Sequence, residues 1–232
     1  MILLSGPYRS GSTWAFNCLQ ELARVAGKSV HADFSDELTP EIVAAEQAGQ
    51  CVILKTHCPS NDLLGFAVQA KATIFLTTRD PRDCASSLKS QFRFSFYRAL
   101  ADTKRSCDAA LWIKRNFSPT VLRYEDHFTS TIETLHLLCR ESGLNVREEA
   151  QRKIFMALSA KSVRRKIKRF LREGIFDGTV PALQFHAGTH WHPNHVGDGT
   201  VRKYRTELSI PERALLMATN LKFLWHFRYK LI

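Results

Sequence analysis

The chain has 232 residues, 44% of them hydrophobic and 24% charged, which is enough for one domain with a substantial core and leaves no long polar stretch to form a disordered tail. Lys plus Arg exceeds Asp plus Glu by 33 − 22 = 11. That balance favours polyanionic partners (nucleotides, nucleic acid, anionic lipid or acidic glycans) without choosing among them. Six scattered cysteines without a C-x-x-C pair read as free thiols in a reducing compartment, and no apolar run has the length of a leader or a membrane span, so the expectation is a soluble, cytoplasmic protein.

In chain order, Ile2-Leu-Leu4 is a short buried strand. It is followed by the turn Gly6-Pro-Tyr-Arg-Ser-Gly-Ser-Thr13 and a helix with apolar residues at Trp14, Cys18, Leu19 and Leu22. Residues 51–57 form a second buried strand, stopped by Pro59, and residues 72–78 a third. The third runs into Asp80 as a helix N-cap, Pro81 at the first helical position and Asp83 at the positive helix end. Residues 120–124 read as a fourth strand and 128–142 as an amphipathic helix closed by Gly143. Residues 147–172 read as one long helix carrying the basic run 164–169, and 174–200 as an irregular loop rich in Gly, Pro and His. A last helix begins near Ser209 with Pro211 and Glu212. Short apolar strands separated by helices predict an α/β, three-layer P-loop-type fold, a central parallel sheet flanked by helices, in a single domain over 1–232.

A strand, a glycine turn and a helix start make an anion site, because backbone N–H groups and the helix dipole converge there. Gly6 to Thr13 nearly satisfies G-x-x-x-x-G-K-[ST], but Ser12 stands where a lysine would neutralise the outer phosphates of a triphosphate. Arg9 offers a positive charge from another position. Read alone, the stretch is also compatible with a plain Gly/Ser turn feeding a helix.

Tyr8-Arg-Ser-Gly-Ser-Thr-Trp14 resembles the 5'-phosphosulfate loop, Y-P-K-S-G-T-T-W, of sulfotransferases that use 3'-phosphoadenosine 5'-phosphosulfate (PAPS). Leu54-Lys-Thr-His-Cys-Pro59 resembles their L-K-T-H-x-P strand end. Thr78-Arg-Asp-Pro-Arg-Asp-Cys-Ala-Ser-Ser87 is similar to their 3'-phosphate segment, and Arg123-Tyr-Glu-Asp126 to their Y-E-D segment. His195-Val-Gly-Asp-Gly-Thr-Val-Arg-Lys-Tyr204 is similar to the glycine-rich closing loop of compact bacterial members. The five matches occur in the expected order across nearly the whole chain.

The resemblance implies in-line transfer of a sulfuryl group from PAPS to an acceptor hydroxyl or amine, with adenosine 3',5'-bisphosphate (PAP) as product and no required metal. His57 is the implied general base. It follows a buried strand, beyond whose carboxyl end ligands of open parallel sheets collect, and its ordinary pKa suits proton removal at neutral pH. Lys55, two residues earlier, points to the same side and with Arg9 would stabilise the leaving phosphate. The implied nucleotide contacts are Arg9, Ser10, Gly11, Ser12, Thr13, Trp14, Arg79, Ser87, Tyr124, Gly197, Gly199, Arg202 and Lys203. Trp14 reads either as core or as a stacking partner for adenine, Ser87 either as an exposed helical serine or as a phosphate ligand, and Arg82 as a surface charge. The chain departs from the pattern at Arg9, where lysine is usual, at Arg202, where glycine is common, and at Tyr204, where tryptophan is common.

Two rivals stand beside this reading: a P-loop kinase or other nucleotide-using enzyme, and a non-catalytic polyanion-binding protein with a relic PAP pocket. The run 164–169 is either a solvated helix face or an attractor of an anionic acceptor or acidic surface. His186, His190, His192 and His195 match no zinc spacing and read as loop residues, so no metal site is assigned. The acceptor, a small molecule or glycan, would be held by variable loops at 34–50, 89–110 and 174–195. No specific nucleic-acid partner and no membrane span is expected.

Overall fold

The computed structural model describes residues 1–180, 183–197 and 199–231. Its first half alternates strand and helix: β1 (Ile2–Ser5), α1 (Ser12–Val25), β2 (Val30–Phe34), α2 (Pro40–Gln47), β3 (Cys51–Lys55), α3 (Asn61–Gln69), β4 (Thr73–Thr78) and α4 (Pro81–Phe92). α5 (Phe96–Asn116) leads into β5 (Thr120–Arg123), and six helices follow: α6 (Ile132–Glu141), α7 (Glu148–Ala157), α8 (Ala160–Glu173), α9 (Tyr204–Glu207), α10 (Ile210–Thr219) and α11 (Leu221–His226). All five strands run parallel in the order β2-β3-β1-β4-β5.

The period of two in the strands explains the three layers. Ile2, Leu4, Ile53 and Phe75 face one apolar cluster with α1, α6, α7 and α8, while Leu3, Val52, Leu54 and Leu76 face a second with α2, α3, α5 and α11. A third cluster, built from Leu88, Ala99, Tyr204 and Leu216, joins α4 and α5 to the C-terminal helices. Leu4 pairs with Lys55 on one side and Phe75 on the other, so β1, β3 and β4 finish at the same level. Three turns, after Ser5, Lys55 and Thr78, therefore emerge side by side at the carboxyl edge, where the strand order reverses.

The expected Asp80 cap forms, its carboxylate accepting from the Arg82 N–H at 2.9 Å, and Ser209 and Glu212 cap α10 reciprocally. Elsewhere the elements differ from expectation. β2 was not expected; it is a half-buried edge strand holding His31 and Asp33, with no continuous apolar run. The segment 89–110 is largely helical because α5 buries small residues (Ala99, Thr103, Ser106, Cys107, Ala110), which give no strong apolar periodicity. Residues 147–172 are two helices, since Ser159 caps α8 through its side chain, and α6 starts only at Ile132, after two single-turn 3₁₀ segments. Arg82 is no surface charge: it is buried, paired with Asp80 at 2.7 Å, and donates to the Lys230 carbonyl.

Candidate active site

The turn after β1 is held open by its own side chains. Gly6 has φ +150°, and a Cβ there would lie 2.3 Å from both the carbonyl oxygen and the hydroxyl of Thr77. Ser10 Oγ bonds the Pro7 carbonyl and Thr77 Oγ1, each at 2.6 Å. The Ser10 hydroxyl thus braces the loop from behind, and Ser10 is not among the residues that line the cavity in front of it. Gly11, at φ +89°, precedes α1, and no side chain caps that helix, so its positive end is left to the cavity. Gly6→Ala is expected to cost about 1–3 kcal/mol by forcing the loop from Thr77, measurable by denaturant titration.

Three cations converge on this loop. Lys55, buried at the end of β3, donates to Thr13 Oγ1 at 3.0 Å and lies over the Phe34 ring at 5.1 Å. Burial, and then the Arg9 charge, push its pKa down to about 7. Arg9 donates through Nε to Ser87 Oγ at 3.0 Å and through Nη2 to the His195 carbonyl at 3.4 Å; burial and then Arg79 lower it to about 10. Arg79 donates to the carbonyls of Arg9 and Thr200 and stacks on Tyr124 at 4.1 Å, but its Nε is buried without a partner. Among the described residues no salt bridge reaches any of the three.

His57 sits beside them. Its Nδ1 lies 2.6 Å from the Gly6 carbonyl, which can only accept, so Nδ1 carries the hydrogen and Nε2 keeps its lone pair. Burial and then Lys55 push its pKa down to about 4, so the ring is neutral at neutral pH. Asp36 fixes the ring's backbone: Oδ1 accepts from Thr56 Oγ1 at 2.6 Å, the His57 N–H at 2.8 Å and the Cys58 N–H at 2.9 Å. Burial alone would raise the Asp36 carboxyl, yet these three donors hold it below its usual range.

These groups line one cavity of about 980 Å³. Its phosphate end is walled by Arg9, Gly11, Ser12, Thr13, Lys55, Arg79 and Ser87, then Trp14 and Tyr124, and is covered by Gly197, Gly199 and Lys203 from the loop before α9. The indole N–H of Trp14 is buried and unpartnered there. The same cavity has an apolar wall of Tyr8, Phe34, Phe92, Phe94 and Phe185, with His190 and His192, which meets the cations at Phe34 and Phe92. Each of the three segments expected to hold the acceptor reaches the cavity. Among the described residues the carboxylates on its wall are Asp33 and Asp102, which come from β2 and α5 and not from the turn after β1.

Arg202, expected as a nucleotide contact, has a different placement. Its side chain is exposed and does not line the cavity; instead its backbone, at φ +62°, donates to Asp83 Oδ2 at 2.6 Å. Asp83 also accepts from the Tyr204 N–H at 3.0 Å and so tethers the closing loop to α4. Asp198 of that loop lies outside the described residues. Arg164, expected only as part of a charge run, donates to the Gly197 carbonyl at 2.6 Å and lines the cavity. His190, His192 and His195 turn inward rather than lying in an open loop, and burial lowers all three, His192 to about 4. Among the described residues no group of three or more His, Cys, Asp or Glu is gathered as a metal would require. Sequence alone gave no sign of Asp36, and it read Asp83 only as a charge favouring the helix start; both act through backbone groups of distant segments.

The fold has close counterparts of known structure. Mouse sulfotransferase SULT7A1 complexed with PAP matches at a TM-score of 0.67 and 13% identity, over 96% of this chain and 83% of that one. Retinol dehydratase matches in its complex with retinol and PAP (TM-score 0.61, 14% identity) and in its complex with androsterone and inactive cofactor PAP (0.63, 12%), each over 96% of this chain and 80% of the other. No protein-family model and no curated protein sequence matches the chain. The chain therefore has the fold of the PAPS-dependent sulfotransferases, with a five-stranded, all-parallel central sheet flanked by helices.

Proposed function

We propose that residues 1–232 form one cytoplasmic sulfotransferase domain that moves the sulfuryl group of PAPS to the hydroxyl or amine of an acceptor. One observation carries the reading: three cations that, among the described residues, form no salt bridge meet a neutral imidazole in one cavity. Uncompensated buried cations are costly unless an anion completes them. The unpartnered Arg79 Nε and Trp14 Nε1 fit the same nucleotide, the first at a phosphate and the second beside the base. Among the described residues the carboxylates lining the pocket belong to β2 and α5, and the turn over 6–13 contains none, so this pocket suits PAPS better than a magnesium-bound nucleoside triphosphate.

PAPS supplies a sulfuryl group already activated by its bond to phosphate. His57 Nε2 takes the acceptor's proton as the acceptor oxygen or nitrogen bonds sulfur, and the bond from sulfur to the bridging oxygen breaks. Lys55 neutralises the charge that this oxygen carries into PAP, while Arg9 and the α1 amides hold the 5'-phosphate. Arg79, Ser87 and Lys203 hold the 3'-phosphate, and Trp14 and Tyr124 the adenosine. The phenylalanine wall suits an apolar alcohol or phenol. Retinol and androsterone, bound by the structural counterparts, are apolar alcohols too.

His57 is neutral above about pH 4 and Lys55 charged below about pH 7. The kcat/KM for PAPS should therefore be level between these values, falling below as His57 is protonated and above as Lys55 loses its proton. Bound PAP should raise Lys55, so binding at pH 8 takes up a proton, seen as an enthalpy that varies with the buffer's ionisation heat. The overall reading is tested with sulfur-labelled PAPS and a panel of apolar alcohols, phenols and amines. Label should pass to an acceptor with release of PAP, without magnesium. Magnesium-dependent ATP turnover with no response to PAPS would establish the kinase reading instead.

A further inference from the structure

We propose that α8, with the chain directly after it, is a docking surface for an anionic lipid bilayer. The helix carries seven Lys or Arg and one Glu, a net of 7 − 1 = +6 out of the chain's +11. Val163, Ile167 and Phe170 bury one side against the core, which fixes the opposite side outward. On that side Lys161, Arg165, Lys168 and Arg172 recur at helical spacing, all exposed and, among the described residues, all without an ion pair or hydrogen bond. The one ion pair on the helix joins Arg169 to Glu173 at 3.7 Å, off this row. Like charges one turn apart repel, so a row of four with no acid among them is mildly destabilising in the free protein and is relieved by an anionic surface.

The apolar neighbours decide which anionic surface. Leu171 is 49% exposed and Ile175 40% exposed, on the flank of the row, and further along the chain Val180, Leu183 and Phe185 are exposed as well. A soluble glycan or nucleic acid has no use for such residues, and α8 exposes no aromatic ring on which bases would stack. A bilayer uses both: phosphate and carboxylate headgroups meet the cations while the aliphatic side chains enter the headgroup–acyl boundary. Leu183 and Phe185 also line the cavity, so docking places the apolar end of the cavity at the lipid. Docking itself does not depend on sulfuryl transfer, but it would give an apolar alcohol a direct route into the site.

The test is co-sedimentation with vesicles of phosphatidylcholine alone and of phosphatidylcholine with phosphatidylserine. Binding should need phosphatidylserine and weaken with salt. Each cation is worth about fivefold in partition, so Lys161→Glu/Arg165→Glu/Lys168→Glu/Arg172→Glu should lose more than about a hundredfold. The corresponding quadruple Gln variant replaces it if the Glu variant does not fold, with the thermal midpoint and PAP binding as controls. Leu171→Ser/Ile175→Ser should cut partition about tenfold and leave retention on heparin unchanged. Absence of binding to either vesicle, or equal binding to both, overturns the proposal. It is equally overturned if Leu171→Ser/Ile175→Ser leaves vesicle binding intact while charge reversal abolishes vesicle and heparin binding alike, which assigns the face to a soluble polyanion.

Discussion

His57→Ala is expected to lower kcat by about 10²- to 10⁴-fold while PAP binding stays near that of the unaltered protein. The ring's two nitrogens have separate duties. Nδ1–H is committed to the Gly6 carbonyl and so helps to hold the phosphate loop, which leaves Nε2 alone for chemistry. Alanine removes both, so His57→Asn is the sharper probe: its amide N–H can still donate to Gly6, but it has no basic nitrogen. Equal losses of kcat in the two variants, with PAP affinity retained in Asn, assign the effect to the base. Near-normal turnover in either variant removes His57 from the mechanism.

Lys55→Met is expected to lower kcat by about 10²- to 10³-fold and also to weaken PAPS. Methionine keeps the packing between Phe16 and Phe34 but loses the charge and the bond to Thr13 Oγ1. Two further readouts separate this from a general disturbance. Lys55 is the second cause, after burial, of the low His57 pKa, so the acid limb of the pH profile should move up from about 4 toward the ordinary histidine value. The free protein should also become more stable, because a buried cation without a counter-ion is removed. Its pH dependence changes with it. In the unaltered chain the unfolded state holds more protons on Lys55 between about pH 7 and its ordinary 10.5, so stability rises with pH across that window. The rise should vanish in Lys55→Met and remain in His57→Asn.

Much of this site was legible because its chemistry lies at the ends of strands that announce themselves. Apolar runs bounded by Gly, Pro and Asp located β1, β3 and β4, and the residues at or just beyond their carboxyl ends, Arg9, Lys55, His57 and Arg79, come together because those strands are neighbours in register. What stayed illegible depends on contacts between distant segments. Asp36 steadies His57 through backbone amides across the β2–β3 edge, and Asp83 holds the closing loop from α4; neither of these contacts has a local pattern. Ser10 and Arg202 have side chains of a kind suited to phosphate, but tertiary contacts turn the first into a brace and leave the second outside the cavity. α5 was missed because small side chains pack there, and small residues carry little periodic signal.

The central claim is that the three converging cations are built for PAPS and its product, and calorimetric titration with PAP in the absence of magnesium tests it most directly. The account predicts tight, saturable binding at one site, a raised thermal midpoint at ligand excess, and marked weakening in Arg79→Ala, because the proposal assigns that guanidinium to the 3'-phosphate. Binding of magnesium–ATP with no measurable affinity for PAP, or PAP affinity unchanged by loss of Arg79, would contradict it.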